Sequence, residues 1–109
     1  MSQNKFKIFP ECLTELKDLQ YLSLAMNQID KIPNSIEKLQ KLKILVLSYN
    51  NIYSLTHEIT KLKSLEILSL QNNKLEKLPK ALKELRNLRQ IRIEGNPLNN
   101  NIKKILKKS

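Results

Sequence analysis

Few residues in this chain could do covalent or acid–base chemistry. It carries one cysteine, Cys12, one histidine, His57, and one glycine, Gly95. A thiol and an imidazole must be adjacent to act as nucleophile and base, yet Cys12 and His57 stand 45 residues apart. A single glycine leaves no loop to cradle a phosphate, and one His with one Cys leaves no four-ligand zinc cluster. The reading is of a non-enzyme with no metal site and no cofactor. What recurs instead is asparagine: Asn27, Asn50, Asn73 and Asn96 are spaced by 23 residues. A carboxamide offers two donors and an acceptor, so such a series can satisfy backbone groups wherever the chain repeatedly turns away from regular pairing. A structural ladder, rather than a ligand site, is the expected role.

The elements that position these asparagines repeat with them. Leu65, Leu68 and Leu70 precede Asn73, and Leu75 follows it. One step of 23 back, Leu42, Leu45, Leu47, Asn50 and Ile52 take the same places; another gives Leu19, Leu22, Leu24, Asn27 and Ile29. A step forward gives Leu88, Ile91, Ile93, Asn96 and Leu98. The first half of each unit alternates and reads as a short strand. The second half, as in Ile32-Pro33-Asn34-Ser35-Ile36-Glu37-Lys38-Leu39, changes to three-residue spacing, which fits either α or 3-10 turns. Pro10, Pro33 and Pro79 suit the first turn of such a segment, and Thr56 takes that place once as an N-cap. Glu11, Glu15, Glu37, Glu58 and Glu84 all fall on this outward-looking half and read as a solvated face, not as paired catalytic carboxylates. At about 4.8 Å per strand, two repeats would hold Cys12 and His57 roughly 10 Å apart.

Three segments follow. Residues 1–18 read as the second half of a repeat, with Phe6, Phe9, Leu13 and Leu16 on core positions, and are expected to cap the N-terminal end; lost upstream repeats are the alternative. Residues 19–98 are the repeats. Residues 99–109 are expected to form a capping helix, with Ile102, Ile105 and Leu106 on one face and Lys103, Lys104, Lys107 and Lys108 on the other. A membrane-surface helix is the alternative for that segment.

At 109 residues, 40% apolar and 5% aromatic, a globular core would be small, but stacked repeats build core in proportion to their number. The lone Cys12 excludes an internal disulfide and is expected to be partly buried. No secretory h-region is evident, and no apolar run approaches the roughly 20 residues that span a membrane. These features favour a cytoplasmic setting; a secreted or surface-exposed one stays open if a leader or upstream segment has been removed.

The pattern leucine-x-x-leucine-x-leucine-x-x-asparagine-x-leucine-x-x-leucine-proline resembles the 23-residue class of leucine-rich repeats over residues 4–98. Its lysine- and asparagine-rich filler resembles the short bacterial, pathogen-type members. The resemblance implies an α/β solenoid, with a parallel sheet of about four short strands on the concave side and short helical or 3-10 turns on the convex side. It also implies a protein-binding module. The departures are Thr56 for proline, Ile91 and Ile93 for leucine, and the missing first half-repeat.

If the strand leucines point inward, the residues between them line the concave face. Tyr21, Ile44, Val46 and Ile67 then make one apolar patch bordered by Tyr49 and Met26, with Gln90, Arg92 and Glu94 as a polar edge. A contiguous exposed apolar patch marks an interface, here for a protein partner or for a second copy of the chain; simple strand propensity of Ile, Val and Tyr is the plainer explanation. Charge offers a rival surface. Residues 74–109 hold 11 Lys and Arg against 3 Asp and Glu, whereas residues 1–73 hold 9 against 7. Arg86, Arg89, Arg92, Lys103, Lys104, Lys107 and Lys108 could attract a glycan, an anionic surface or nucleic acid. No aromatic lies in residues 54–109 for a base to stack on, so specific nucleic-acid binding is not expected.

Overall fold

The computed structural model describes residues 6–98. Four three-residue strands, β1 (Tyr21–Ser23), β2 (Ile44–Val46), β3 (Ile67–Ser69) and β4 (Gln90–Arg92), form one parallel sheet in the order β1-β2-β3-β4. The register advances by one repeat per strand, so Tyr21, Ile44, Ile67 and Gln90 stand in one row, Leu22, Leu45, Leu68 and Ile91 in the next, and Ser23, Val46, Ser69 and Arg92 in a third. Strand alternation sends the middle row inward: Leu22, Leu45 and Leu68 are buried. Backbone pairing continues past the strands, through Leu24 N to Val46 O at 2.9 Å, Leu47 N to Ser69 O at 2.8 Å and Leu70 N to Arg92 O at 2.8 Å.

Opposite the sheet, each repeat makes a five-residue 3-10 segment: η1 (Glu11–Glu15), η2 (Asn34–Lys38), η3 (His57–Lys61) and η4 (Lys80–Glu84). Three residues per turn bring positions i and i+3 onto one line. Ile36 and Leu39, Ile59 and Leu62, and Leu82 and Leu85 all point into the core on that line. The prolines stand one place earlier than the first turn, at the N-cap, where the carbonyls of Pro10, Pro33 and Pro79 accept from Leu13, Ile36 and Leu82 at 3.0–3.1 Å. Thr56 adopts nearly the same backbone (φ −65, ψ 143), and its hydroxyl accepts from Glu58 N at 3.3 Å. Threonine thus replaces proline's fixed φ with a hydrogen bond.

The core is one run of leucines and isoleucines from Leu22 to Leu88, closed toward the N-terminus by buried Phe9 with Phe6 packed on it. Burial of each such side chain contributes roughly 1.5–3 kcal/mol against the entropy of ordering the chain. Two N-terminal expectations are corrected here. Leu16 holds the core position of Leu39, Leu62 and Leu85, yet it is 51% exposed, because among the described residues no repeat lies over it. Cys12, expected to be partly buried, is exposed for the same reason. On the convex side, Lys38 reaches back one repeat to Glu15 at 2.8 Å and Lys41 to Asp18 at 2.9 Å. The hydrogen bond and charge of Lys38 hold the Glu15 carboxyl below its usual range, and Glu15 raises Lys38 in turn. These pairs are solvent-exposed, so they add little stability. The expected capping helix over 99–109, with its four lysines, lies outside the described residues.

Candidate functional site

The concave surface is bordered along one edge by the asparagines. Asn50 Oδ1 accepts from Ile29 N at 3.1 Å, while its Nδ2 donates to Leu24 O and Leu47 O at 3.0 Å and to Ser48 O at 3.3 Å. Asn73 repeats this one step on, with Ile52 N, Leu47 O and Leu70 O as its 3.0 Å partners. Asn27 and Asn96 do the same at the two ends. Each carboxamide therefore ties two successive repeats together just where the strand must turn. Among the described residues no buried side-chain polar atom lacks a partner.

On this frame stand the rows. Tyr21 is 60% exposed, Ile44, Val46 and Ile67 are half-buried, and Ser23, Ala25 and Ser48 fill the space between with small uncharged groups. Ser69 is buried, and its hydroxyl is hydrogen-bonded to the Gln71 side chain. Among the described residues of these rows, charge stands only at the far strand. There Arg92 lies against Gln90, whose amide oxygen accepts from Nε at 3.1 Å and Nη2 at 3.0 Å when turned toward the guanidinium. The surface thus grades from apolar over β1–β3 to polar and charged at β4.

The sequence model described as leucine rich repeat matches residues 1–52 and 40–98. The chain belongs to the leucine-rich-repeat family. Its fold matches a leucine-rich-repeat protein of Leptospira interrogans with a TM-score of 0.92 at 38% identity, over 99% of this chain and 29% of that one. An internalin of Listeria monocytogenes matches with a TM-score of 0.85 at 27% identity, over 99% of this chain and 31% of that one. The BIR3–SERK2 complex of Arabidopsis thaliana contains a chain matched at 0.76 and 35% identity, over 84% of this chain and 51% of that one. The leucine-rich-repeat chain thus spans between about a third and a half of these solved chains. No curated protein sequence matches it.

Two features of this leucine-rich-repeat surface escape sequence reasoning. The residue before each ladder asparagine adopts a left-handed backbone in four repeats: Met26 (φ 63), Tyr49 (φ 58), Asn72 (φ 59) and Gly95 (φ 78). Asn72 and Gly95 were the available signal, since both types favour that region; Met26 and Tyr49 masked it. The second is Tyr53, which is 50% exposed and lies beyond the ladder. With Tyr21 and Tyr49, every tyrosine of the chain is exposed.

Among the described residues, Arg86 and Arg89 do not join the apolar patch. Arg86 follows η4, Arg89 precedes β4, and only Arg92 stands on a concave row; all three are exposed. Lys103, Lys104, Lys107 and Lys108 lie outside the described residues. Among the described residues, no three His, Cys, Asp or Glu side chains are grouped to hold a metal, and no helix is long and apolar enough to cross a membrane.

Proposed function

We propose that this leucine-rich-repeat chain binds a protein partner through its concave sheet face, with Tyr21, Ile44, Val46 and Ile67 as the contact centre and Met26, Tyr49, Gln90 and Arg92 around it. One observation carries the reading. Charged residues make up 28% of the chain, yet 21–29, 44–56 and 67–73 contain none. These runs supply the concave rows of three adjacent strands, so an uncharged and partly apolar surface extends across them. Such contiguity is what separates an interface from scattered exposed side chains. The BIR3–SERK2 neighbour, a complex of two proteins, supports the class of partner by likeness.

The test is a reconstituted complex. A partner recovered by affinity capture and then purified should lose several kcal/mol of binding to Ile44→Asp combined with Ile67→Asp, because unpaired carboxylates would be buried at the centre of the contact. Lys103→Glu with Lys107→Glu should leave it unchanged. The basic excess beyond residue 74 favours a second reading, adhesion to a polyanion. That reading demands affinity that falls steeply with salt, whereas the apolar contact does not. Loss of binding in the lysine variant alone, with a steep salt slope, would make the second reading the correct one.

A further inference from the structure

We infer that Tyr49, with Met26 at the equivalent place in the preceding repeat, is the anchor of this surface: a side chain projected by a left-handed turn into an apolar, uncharged pocket of the protein partner. The inference rests on the concave-face reading above and sharpens it, adding to the sheet-row contact centre an anchor on the row that precedes the asparagine ladder.

The same backbone conformation recurs at Met26, Tyr49, Asn72 and Gly95. Glycine has no Cβ to clash there, and asparagine tolerates the region; a β-favouring aromatic residue does not. The fold has no need of the ring, which is 57% exposed, and Asn72 shows that a small amide fills the equivalent place one repeat on. The strained turn is held from several sides. Tyr49 N donates to Gln71 O at 2.9 Å, and the adjoining Asn50 carboxamide bonds Leu24 O, Leu47 O and Ser48 O. A residue kept in a costly conformation by an over-determined frame points to use of its side chain. Because the backbone of the turn is already fixed, a partner that receives the ring has only the two side-chain torsions left to order.

The chemistry of the pocket follows from the neighbours. Ser23, Ala25, Met26, Val46 and Ser48 are uncharged, and charge on the concave rows begins at Arg92 and Glu94, two strands away. A charged pocket would meet no counter-charge here. An apolar one would meet the ring and the polarizable thioether of Met26, which is 47% exposed.

Two measurements on the purified chain test this without a known partner. Tyr49→Asn should raise the thermal midpoint by about 2–6 °C, since it removes strain and adds none. Tyr53→Asn, outside the left-handed region, should not raise it, and Tyr49→Phe should leave it unchanged. In a titration of the isotope-labelled protein with β-cyclodextrin, whose cavity is apolar and uncharged, the amides around Tyr49 should saturate at a concentration at least about threefold lower than those around Tyr53. A lower midpoint for Tyr49→Asn would show that the ring serves the fold, and equal or tighter occupancy at Tyr53 would show that Tyr49 is not pre-organised; either overturns the inference. Neither result touches the concave-face reading, which stands or falls with the Ile44 and Ile67 variant.

Discussion

Met26 and Tyr49 share one backbone conformation with Asn72 and Gly95, and the two pairs are chemically opposed. A left-handed conformation costs a bulky L-residue about 1–2 kcal/mol, and asparagine or glycine much less. The C-terminal pair has the residues the turn favours. Gly95 goes further: a Cβ there would lie 2.3 Å from the Asn72 Oδ1, so the Asn72 side chain rests on bare backbone. The N-terminal pair carries large exposed side chains at the same turn. The lesson is that the two halves of one row answer different demands. Over β3 and β4 the row suits the fold, whereas over β1 and β2 its exposed side chains fit the contact surface proposed above. The strand rows change one strand later, with Tyr21, Ile44, Val46 and Ile67 giving way to Gln90 and Arg92 at β4.

The largest expected effect removes what both halves share. Asn73→Ala would leave Ile52 N without its 3.0 Å acceptor and remove one of the two carboxamide donors on each of Leu47 O and Leu70 O, and should destabilise by about 2 kcal/mol in urea unfolding. Repeats couple only to neighbours, so the loss could split unfolding into two steps. An unchanged midpoint would mean that the ladder does not carry either half.

A smaller effect separates the halves. Gly95→Ala places a Cβ at φ 78 against Asn72 and should cost about 1 kcal/mol. A neutral result would remove the contrast between a fold-suited and a surface-suited end. The smallest concerns the sheet rows themselves. Each aspartate in the Ile44→Asp, Ile67→Asp variant should change stability by about 0.5 kcal/mol or somewhat more, since neither residue belongs to the buried row. Severe unfolding would show that these side chains serve the core after all.

Much of this architecture was legible because one physical rule generates it. Leucines at alternating and then three-residue spacing, repeated every 23 residues, can be buried together only by stacking the units, which puts Leu22, Leu45 and Leu68 in line. The same spacing could not distinguish α from 3-10 turns, because both bring i and i+3 to one side; short, proline-started segments decide for 3-10. Leu16 and Cys12 misled for a different reason. Their residue types match buried or half-buried positions elsewhere, but exposure depends on a neighbouring repeat that the local sequence does not reveal. The left-handed row was hidden by Met26 and Tyr49, the residues that make it informative. A chemical preference violated in half of the copies looks like no preference at all until the backbone is seen.

The central claim is that the uncharged concave rows, and not the basic third of the chain, meet the partner. Hydrogen-exchange footprinting of the reconstituted complex tests it most directly, since protection is read segment by segment in the intact chain. The account predicts new protection centred on residues 20–26, 43–49 and 66–72, with little change over 77–87 and 99–109. Protection centred on the basic stretches, with exchange over the first three strands unaltered, would contradict it.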